Sequence, residues 1–278
     1  MKHLIDYVTY ESDKMNIQLA DNKGHIQVLD SSHIDSIVEL YRFVYEKLKE
    51  QKSEKFLHPV GKKEAEELIE SEDSVLVGYF KDGNHLLGVS YAKPLEDGSK
   101  YFKTPAFDEG SKSYIIGGLA VNPEFRGNGI NPKLITATLK GLKHYSAAYP
   151  GKKIGGAGLE VSCENFSSLR CIGSVKEEDG TPAFNVVGMH YIENPADNDN
   201  DLTILGYNSF SSPVVDSPAP FNLELDGNQE HAYDNVSENM ENICAFGGSF
   251  SKTTIDGHSI LTFDNNFSTP MCDIAFVQ

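Results

Sequence analysis

A short glycine-containing segment offers the clearest chemistry in this chain of 278 residues. Its residues are Arg126, Gly127, Asn128, Gly129, Ile130 and Asn131. Such a loop exposes several backbone N–H groups at the positive end of a helix dipole, and glycine lets the backbone approach an anion closely. The segment is therefore a candidate phosphate-binding loop, while an ordinary strand-to-helix turn is the alternative that the glycines alone leave open.

The elements on either side must position this loop. Residues 113–121 are an apolar run that predicts a strand, and the pair Gly117 and Gly118 in its middle indicates a bulge or a close backbone approach. A turn follows at 122–125. Beyond the loop, apolar residues recur along one side of a predicted helix, at Ile130, Leu134, Ile135, Leu139 and Leu142.

The rest of the chain up to about residue 210 alternates strands with helices. Further strands are predicted at 25–29, 74–80, 86–92, 154–162, 184–192 and 202–207, and further helices at 33–50, 62–70 and 165–172. This order predicts an α+β (mixed α/β) fold with a mixed central sheet flanked by helices. Residues 1–24 show little pattern and are interpreted as a separate N-terminal segment.

The stretch from residue 118 to residue 130 resembles the acyl-CoA-binding motif of the GNAT N-acetyltransferase superfamily. In that motif Arg or Gln, two residues, Gly, one residue and then Gly or Ala follow the fourth strand. Arg126 and Gly129 match the pattern, and Asn131 stands where the family has Gly or Ala. Asn131 still supplies a backbone N–H, but its side chain adds bulk beside the pyrophosphate.

A second segment resembles the fifth strand and the following helix of the same family. It contains Leu159-Glu160-Val161, then Asn165 and Ser168. In many members the positions of Asn165 and Ser168 contact the pantetheine and the phosphates on the adenine side. The tyrosine that usually follows seven residues after the asparagine is Ile172 here. The element order also agrees with the family from about residue 25 to residue 210, which implies a GNAT domain over residues 25–210.

The resemblance implies an acyl-CoA-dependent N-acetyltransferase. Its cosubstrate would be acetyl-CoA, and an amine of a small molecule or a protein would attack the thioester directly. Backbone groups of Leu119, Ala120 and Val121 would pair with the pantetheine, and the Val121 N–H is the candidate donor to the developing oxyanion. Glu160 matches the catalytic Glu of the ribosomal-protein N-terminal acetyltransferases and is the candidate base. The alternative is that Glu160 is a buried, paired carboxylate that supports the strand.

The residue that protonates the leaving thiolate is not evident. Ile172 cannot replace the family's tyrosine, and Cys171, Tyr145 and Tyr191 are interpreted chiefly as core residues. A second interpretation of the whole chain therefore stays open, namely a non-catalytic GNAT fold that binds CoA or serves as an assembly module.

Composition excludes other classes of function. The chain has 41 acidic and 24 basic residues, a net charge of −17. This charge argues against binding to nucleic acid or to anionic membrane surfaces and favours a cationic amine as substrate. The sequence shows no secretory leader and no apolar run long enough to span a membrane, so a cytoplasmic location is expected. The cysteines lack metal-ligand spacing, so no metal site is expected.

Residues 211–278 form an acidic C-terminal extension with a different surface. They contain ten acidic residues and a single base, Lys252. After a Ser/Pro-rich start, the pattern predicts strands at 221–225, 259–263 and 274–277 and a helix near 230–244. The extension could cover the acceptor cleft, attract a cationic substrate, or mediate self-association, which would give a homodimer.

Overall fold

A computed structural model describes this protein in ten segments: residues 3–18, 24–53, 57–81, 85–95, 112–162, 165–192, 201–210, 221–225, 249–255 and 258–264. The chain divides into two units. The first comprises residues 1–98 and 109–157, and the second comprises residues 99–108 and 158–278.

The helices and strands follow the alternating order that the sequence predicts. The helices are α1 (Leu4–Gln18), α2 (Ile34–Glu50), α3 (Lys62–Glu70), α4 (Ile130–Ala148) and α5 (Phe166–Gly173). The strands are β1 (Gly24–Val28), β2 (Val75–Lys81), β3 (His85–Pro94), β4 (Lys112–Val121), β5 (Ile154–Ser162), β6 (Asn185–Ile192), β7 (Asp201–Ser209), β8 (Phe221–Leu225), β9 (Ser249–Ile255) and β10 (His258–Asp264).

The strand order is β1-β2-β3-β4-β5 in the first unit and β5-β7-β6 in the second, because β5 begins in one and ends in the other. Antiparallel pairing joins β1 to β2, β2 to β3 and β3 to β4. Strand β2 is buried from Val75 to Phe80, so both of its faces are covered, as in a sheet with packed layers on either side. The predicted α+β fold is confirmed.

The main differences from the sequence-based expectations lie at the two ends of the chain. Helix α1 lies within the segment 1–24, where no element was predicted. In the C-terminal extension, β8 and β10 are confirmed, and β9 was missed; these three strands form an antiparallel sheet in the order β8-β10-β9. The predicted helix near 230–244 and the predicted strand at 274–277 lie outside the described residues.

Helix α1 escaped prediction because half of its buried face is polar. Leu4 and Val8 are fully buried, but the same face continues with Glu11 and Ser12, which are only 2% and 1% exposed. The Ser12 hydroxyl donates to the Val8 carbonyl over 2.8 Å, and Glu11 Oε1 lies 3.1 Å from His144 Nδ1 of α4. Polar partners therefore replace the apolar periodicity that identifies a helix in sequence.

Helix α1 also protects the outer edge of the sheet. The Asn16 side chain donates to the Ile26 carbonyl over 2.8 Å and accepts from the Ile26 N–H over 2.7 Å. These two bonds take the places that a neighbouring strand would fill, so the amide blocks pairing of β1 with another chain.

Close packing of α1 against α4 depends on Gly141. A Cβ atom at this position would lie 2.4 Å from Val8 Cγ2 and 2.7 Å from Val8 Cα. The second of these atoms is backbone, so the helices could accommodate a methyl group only by moving apart.

We predict that Gly141→Ala lowers the free energy of unfolding by about 1–3 kcal/mol, since overpacking outweighs the better helix propensity of alanine. Urea denaturation measures the change. Gly151→Ala is the control, because a Cβ there meets no atom within 4 Å, and it should alter stability by no more than about 0.5 kcal/mol. Equal stability of the two variants would contradict the packing argument.

Candidate functional site

The fourth strand contains a bulge at its glycine pair, as the sequence predicts. Across the β3–β4 ladder, Val89 lies opposite Ala120 and Tyr91 lies opposite Gly117, so Gly118 and Leu119 face the single residue Ser90. Gly118 has φ +61°, and a Cβ atom there would lie 2.3 Å from the Tyr41 hydroxyl oxygen. Both the backbone conformation and the packing therefore require glycine at this position.

Beyond the bulge, β4 resumes regular pairing and directs an N–H outward. The Asn122 N–H donates to the Leu87 carbonyl of β3 over 2.8 Å. Successive N–H groups of a strand point to opposite edges, so the Val121 N–H points away from β3. Of the predicted pantetheine-binding residues, Ala120 and Val121 are buried and Leu119 is half-buried.

A short 3₁₀ turn, Pro123–Phe125, connects β4 to the glycine loop. Asn122 caps this turn, since its Oδ1 accepts from the Glu124 N–H over 3.0 Å. The Glu124 side chain is exposed. The Glu124 backbone, rather than its side chain, makes the capping contact.

The glycine loop is left-handed at two positions. Gly127 has φ +80° and Gly129 has φ +66°, and a Cβ at either residue would meet no atom within 4 Å. Backbone conformation, rather than crowding, thus explains these glycines, and the space beside them is open. The Asn128 side chain donates to the Phe125 carbonyl over 2.9 Å and stabilises the loop from within.

Helix α4 begins directly after this loop, with Gly129 as its N-cap residue. Ile130 is buried and packs the start of the helix against the sheet. A Cβ atom on Gly88 of β3 would lie only 2.7 Å from Ile130 Cγ2, so this packing depends on glycine at position 88. The N–H groups of Ile130 and Asn131 belong to the first turn, which has no helical carbonyls to pair with. Asn131 Oδ1 is shielded from solvent and has no hydrogen-bond partner among the described residues.

Three cationic side chains surround the loop. Partial burial lowers the pKa of Arg126, which nevertheless remains charged at neutral pH. Lys133 Nζ lies 3.5 Å from the Asn128 carbonyl, and Lys81 Nζ lies 5.4 Å from the centre of the Phe125 ring. Sequence reasoning missed Lys81, which ends β2 and reaches the loop only through the pairing of β2, β3 and β4. No local signal could have found it.

The predicted residues of the second motif lie in the second unit. Asn165 Oδ1 accepts from the Ser168 N–H over 3.2 Å and caps α5, so these two residues are brought together. Glu160 lies on β5 and is half-buried, with its Oε1 atom shielded from solvent.

The candidates for a proton donor are mostly core residues. Ile172 is 2% exposed, and burial raises the pKa of Cys171 to about 12, which suits a packing role. Tyr145 is 1% exposed and accepts a hydrogen bond from Lys152 Nζ. It lies about 22 Å along α4 from Ile130 at 1.5 Å per residue, which places it near the opposite end of this helix from the glycine loop. The side chain of Tyr191 lies outside the described part of the structure.

A bulged strand, two left-handed glycines and a helix start near cationic side chains form one continuous strand–loop–helix unit. Residues 36–157 match the model of the acetyltransferase (GNAT) family. This match covers the bulge, the glycine loop and all of α4. This segment is thus similar to GNAT acetyltransferases, and the resemblance stated from the first sequence motif is confirmed over residues 36–157.

Solved acetyltransferases share the fold. NAA60 of Arabidopsis thaliana in complex with acetyl-CoA is 16% identical, with a TM-score of 0.50 over 68% of this chain and 99% of that one. The structure of the same protein with a bisubstrate analogue is also 16% identical, with a TM-score of 0.50 over 67% of this chain and 98% of that one. Spermidine N-acetyltransferase from Vibrio cholerae with CoA and spermine is 16% identical, with a TM-score of 0.45 over 68% of this chain and 96% of that one. No curated protein matches this chain in sequence.

The described segments hold neither a metal-ligand cluster nor a membrane-spanning helix. They contain no cluster of three or more His, Cys, Asp or Glu side chains that could hold a metal ion. None of the helices within them is long and apolar enough to cross a membrane.

We predict that Gly129→Val weakens acetyl-CoA binding at least about tenfold. Valine is strained at positive φ, and its side chain would occupy the open space beside the loop. Gly180→Val is the matched control, since Gly180 also has positive φ (+86°) and no atom within 4 Å of a Cβ. Isothermal titration calorimetry should show a raised Kd for Gly129→Val alone. An equal loss of affinity in both variants would contradict a specific role for the loop.

Proposed function

We propose that this chain transfers an acetyl group from acetyl-CoA to an amine by direct attack of the amine on the thioester. One observation supports this proposal above the others. The bulged strand β4, whose Val121 N–H points away from β3, leads directly into the glycine loop and the start of α4. This arrangement lies within the segment that matches the GNAT acetyltransferase family. NAA60, which shares the fold, binds acetyl-CoA.

The loop is suited to the diphosphate of this cosubstrate. Gly127 and Gly129 leave open space beside the backbone, so an anion can approach the N–H groups closely. Arg126, Lys133 and Lys81 supply positive charge in a chain whose net charge is −17. We assign the diphosphate to the N–H groups of residues 127–131, and Asn165 and Ser168 to other contacts with the same molecule.

The thioester supplies an activated acetyl group and a thiolate that leaves readily. The Val121 N–H donates to the thioester oxygen as negative charge develops there, and one such donor is worth roughly 3 kcal/mol of barrier. Glu160 accepts a proton from the attacking amine, either directly or through water, because only a neutral amine is a nucleophile. Leu119 and Ala120 align the pantetheine along β4.

The acceptor is an amine, and we propose that it is cationic before it reacts. The acidic character of the chain attracts a positive substrate and raises its local concentration. The acidic extension, with ten acidic residues against one base, strengthens this attraction. A cytoplasmic location and a homodimer stay predictions.

One observation favours a second candidate function, a non-catalytic CoA-binding module. The side chain of Ile172, at the position of the family's tyrosine, is buried and has no proton to donate. Acetyl-CoA binding without acetyl transfer to any member of a broad amine panel would support this alternative and contradict the proposed reaction.

We predict that wild-type protein binds acetyl-CoA and acetylates at least one amine, and that Glu160→Gln lowers kcat by about 10²–10⁴-fold while the Kd for acetyl-CoA stays unchanged. The physical reason is that glutamine cannot accept the proton. A thiol-release assay measures turnover, and calorimetry measures affinity.

Glu124→Gln is the control for this experiment, because the Glu124 side chain is an exposed turn residue and its substitution should leave both constants unchanged. Unaltered turnover of Glu160→Gln would assign Glu160 to supporting β5. Failure of wild-type protein to bind millimolar acetyl-CoA would refute the proposed function itself.

A further inference from the structure

We infer that Tyr41 is a positioning residue of the acetyl-transfer site, and that its hydroxyl holds the bulge of β4 in the conformation that directs backbone N–H groups at the thioester. This inference rests on the proposed function. It concerns a residue of α2 that none of the sequence motifs contains.

The supporting contact joins distant parts of the chain. Tyr41 is fully buried in α2, and its hydroxyl donates to the carbonyl oxygen of Gly118, which is 77 residues away. Burial raises the pKa of Tyr41 well above its usual value, so the hydroxyl keeps the proton that it donates. The Tyr41 and Tyr91 side chains also pack against the position that a Gly118 Cβ would occupy.

A second hydroxyl supports the preceding carbonyl. Ser90 is fully buried on β3, and its Oγ donates to the Gly117 carbonyl over 3.3 Å. A bulge disrupts the regular ladder at this point, and a buried carbonyl without a partner costs about 1–3 kcal/mol. Two side chains, from different elements, thus satisfy the two successive carbonyls at the bulge.

The direction of these bonds matters for chemistry as well as for stability. In a trans peptide the carbonyl and the N–H point in opposite directions. Because the Gly118 carbonyl points at Tyr41, the N–H of Leu119 points away from Tyr41. Ala120 then re-enters the ladder opposite Val89, which gives the Val121 N–H its outward direction. Rotation of the 118–119 peptide would disturb the whole end of the strand.

Tyr114 offers a matched comparison within the same strand. It is a tyrosine on β4, it is 1% exposed, and it precedes the bulge, opposite Pro94. Tyr114→Phe therefore removes the hydroxyl of another buried tyrosine from the same strand without touching the Gly118 carbonyl. If Tyr41 served stability alone, neither variant would change the thioester carbonyl band or kcat.

The test compares Tyr41→Phe and Tyr114→Phe in the full chain. Infrared difference spectra of bound acetyl-CoA labelled with carbon-13 at the thioester carbonyl report the hydrogen bond to that carbonyl. We expect Tyr41→Phe to shift the carbonyl band towards its position in free acetyl-CoA and to lower kcat about 10- to 100-fold, as misplaced reacting groups do. The KM for the amine should stay within about twofold, because the proposed site uses this strand to hold acetyl-CoA and not the acceptor.

Tyr114→Phe should keep the wild-type band and kcat, even where its melting temperature falls as much as that of Tyr41→Phe. Should Tyr41→Phe fail to fold, Ser90→Ala provides the same comparison and should shift the band in the same direction. The inference would be overturned if folded Tyr41→Phe, or Ser90→Ala in its place, kept the wild-type carbonyl band and turnover. That result would leave the proposed function intact. Wild-type protein that does not bind acetyl-CoA would overturn the proposed function and the inference together.

Discussion

The extra residue in β4 is the constraint on which the site depends. Gly118 and Leu119 together lie opposite Ser90. Gly118 therefore adopts φ +61°, and pairing with β3 resumes at Ala120. That recovery gives Val121 its outward N–H and sets where the strand ends. The turn, the glycine loop and α4 all follow from that endpoint, because Asn122 is tied to Leu87 of β3. A regular β4 would send the loop in another direction.

Polar groups stabilise much of what surrounds this strand. Helix α1 buries Glu11 and Ser12 beside Leu4 and Val8, and its Asn16 amide completes the edge of β1. Such contacts require exact partners, since a buried polar group without one is costly. The Asn16 and Glu11 contacts therefore specify how α1 lies on β1 and on α4, while apolar packing at Gly141 sets how closely the two helices approach.

The charge near the glycine loop is opposite in sign to the net charge of the chain. The chain as a whole is strongly acidic, yet Lys133 contacts the glycine loop, which contains Arg126, and Lys81 lies over the ring of Phe125 just before it. In the proposed function, an anionic cosubstrate would find local positive charge at the loop, and a cationic acceptor would be attracted to the acidic surroundings. The acidic extension adds to this difference, because it contributes more than half of the net negative charge.

The sequence by itself determined the local features of this protein. Glycines at 127 and 129, the apolar periodicity of α4 and the glycine pair in β4 predict loop, helix and bulge, because backbone preference and amphipathic spacing reside in neighbouring residues. Only the tertiary structure decided that Tyr41 supports Gly118, that Lys81 joins the loop and that the polar face of α1 is buried. These contacts join residues far apart in the chain, and their free energy depends on geometry that no local pattern records.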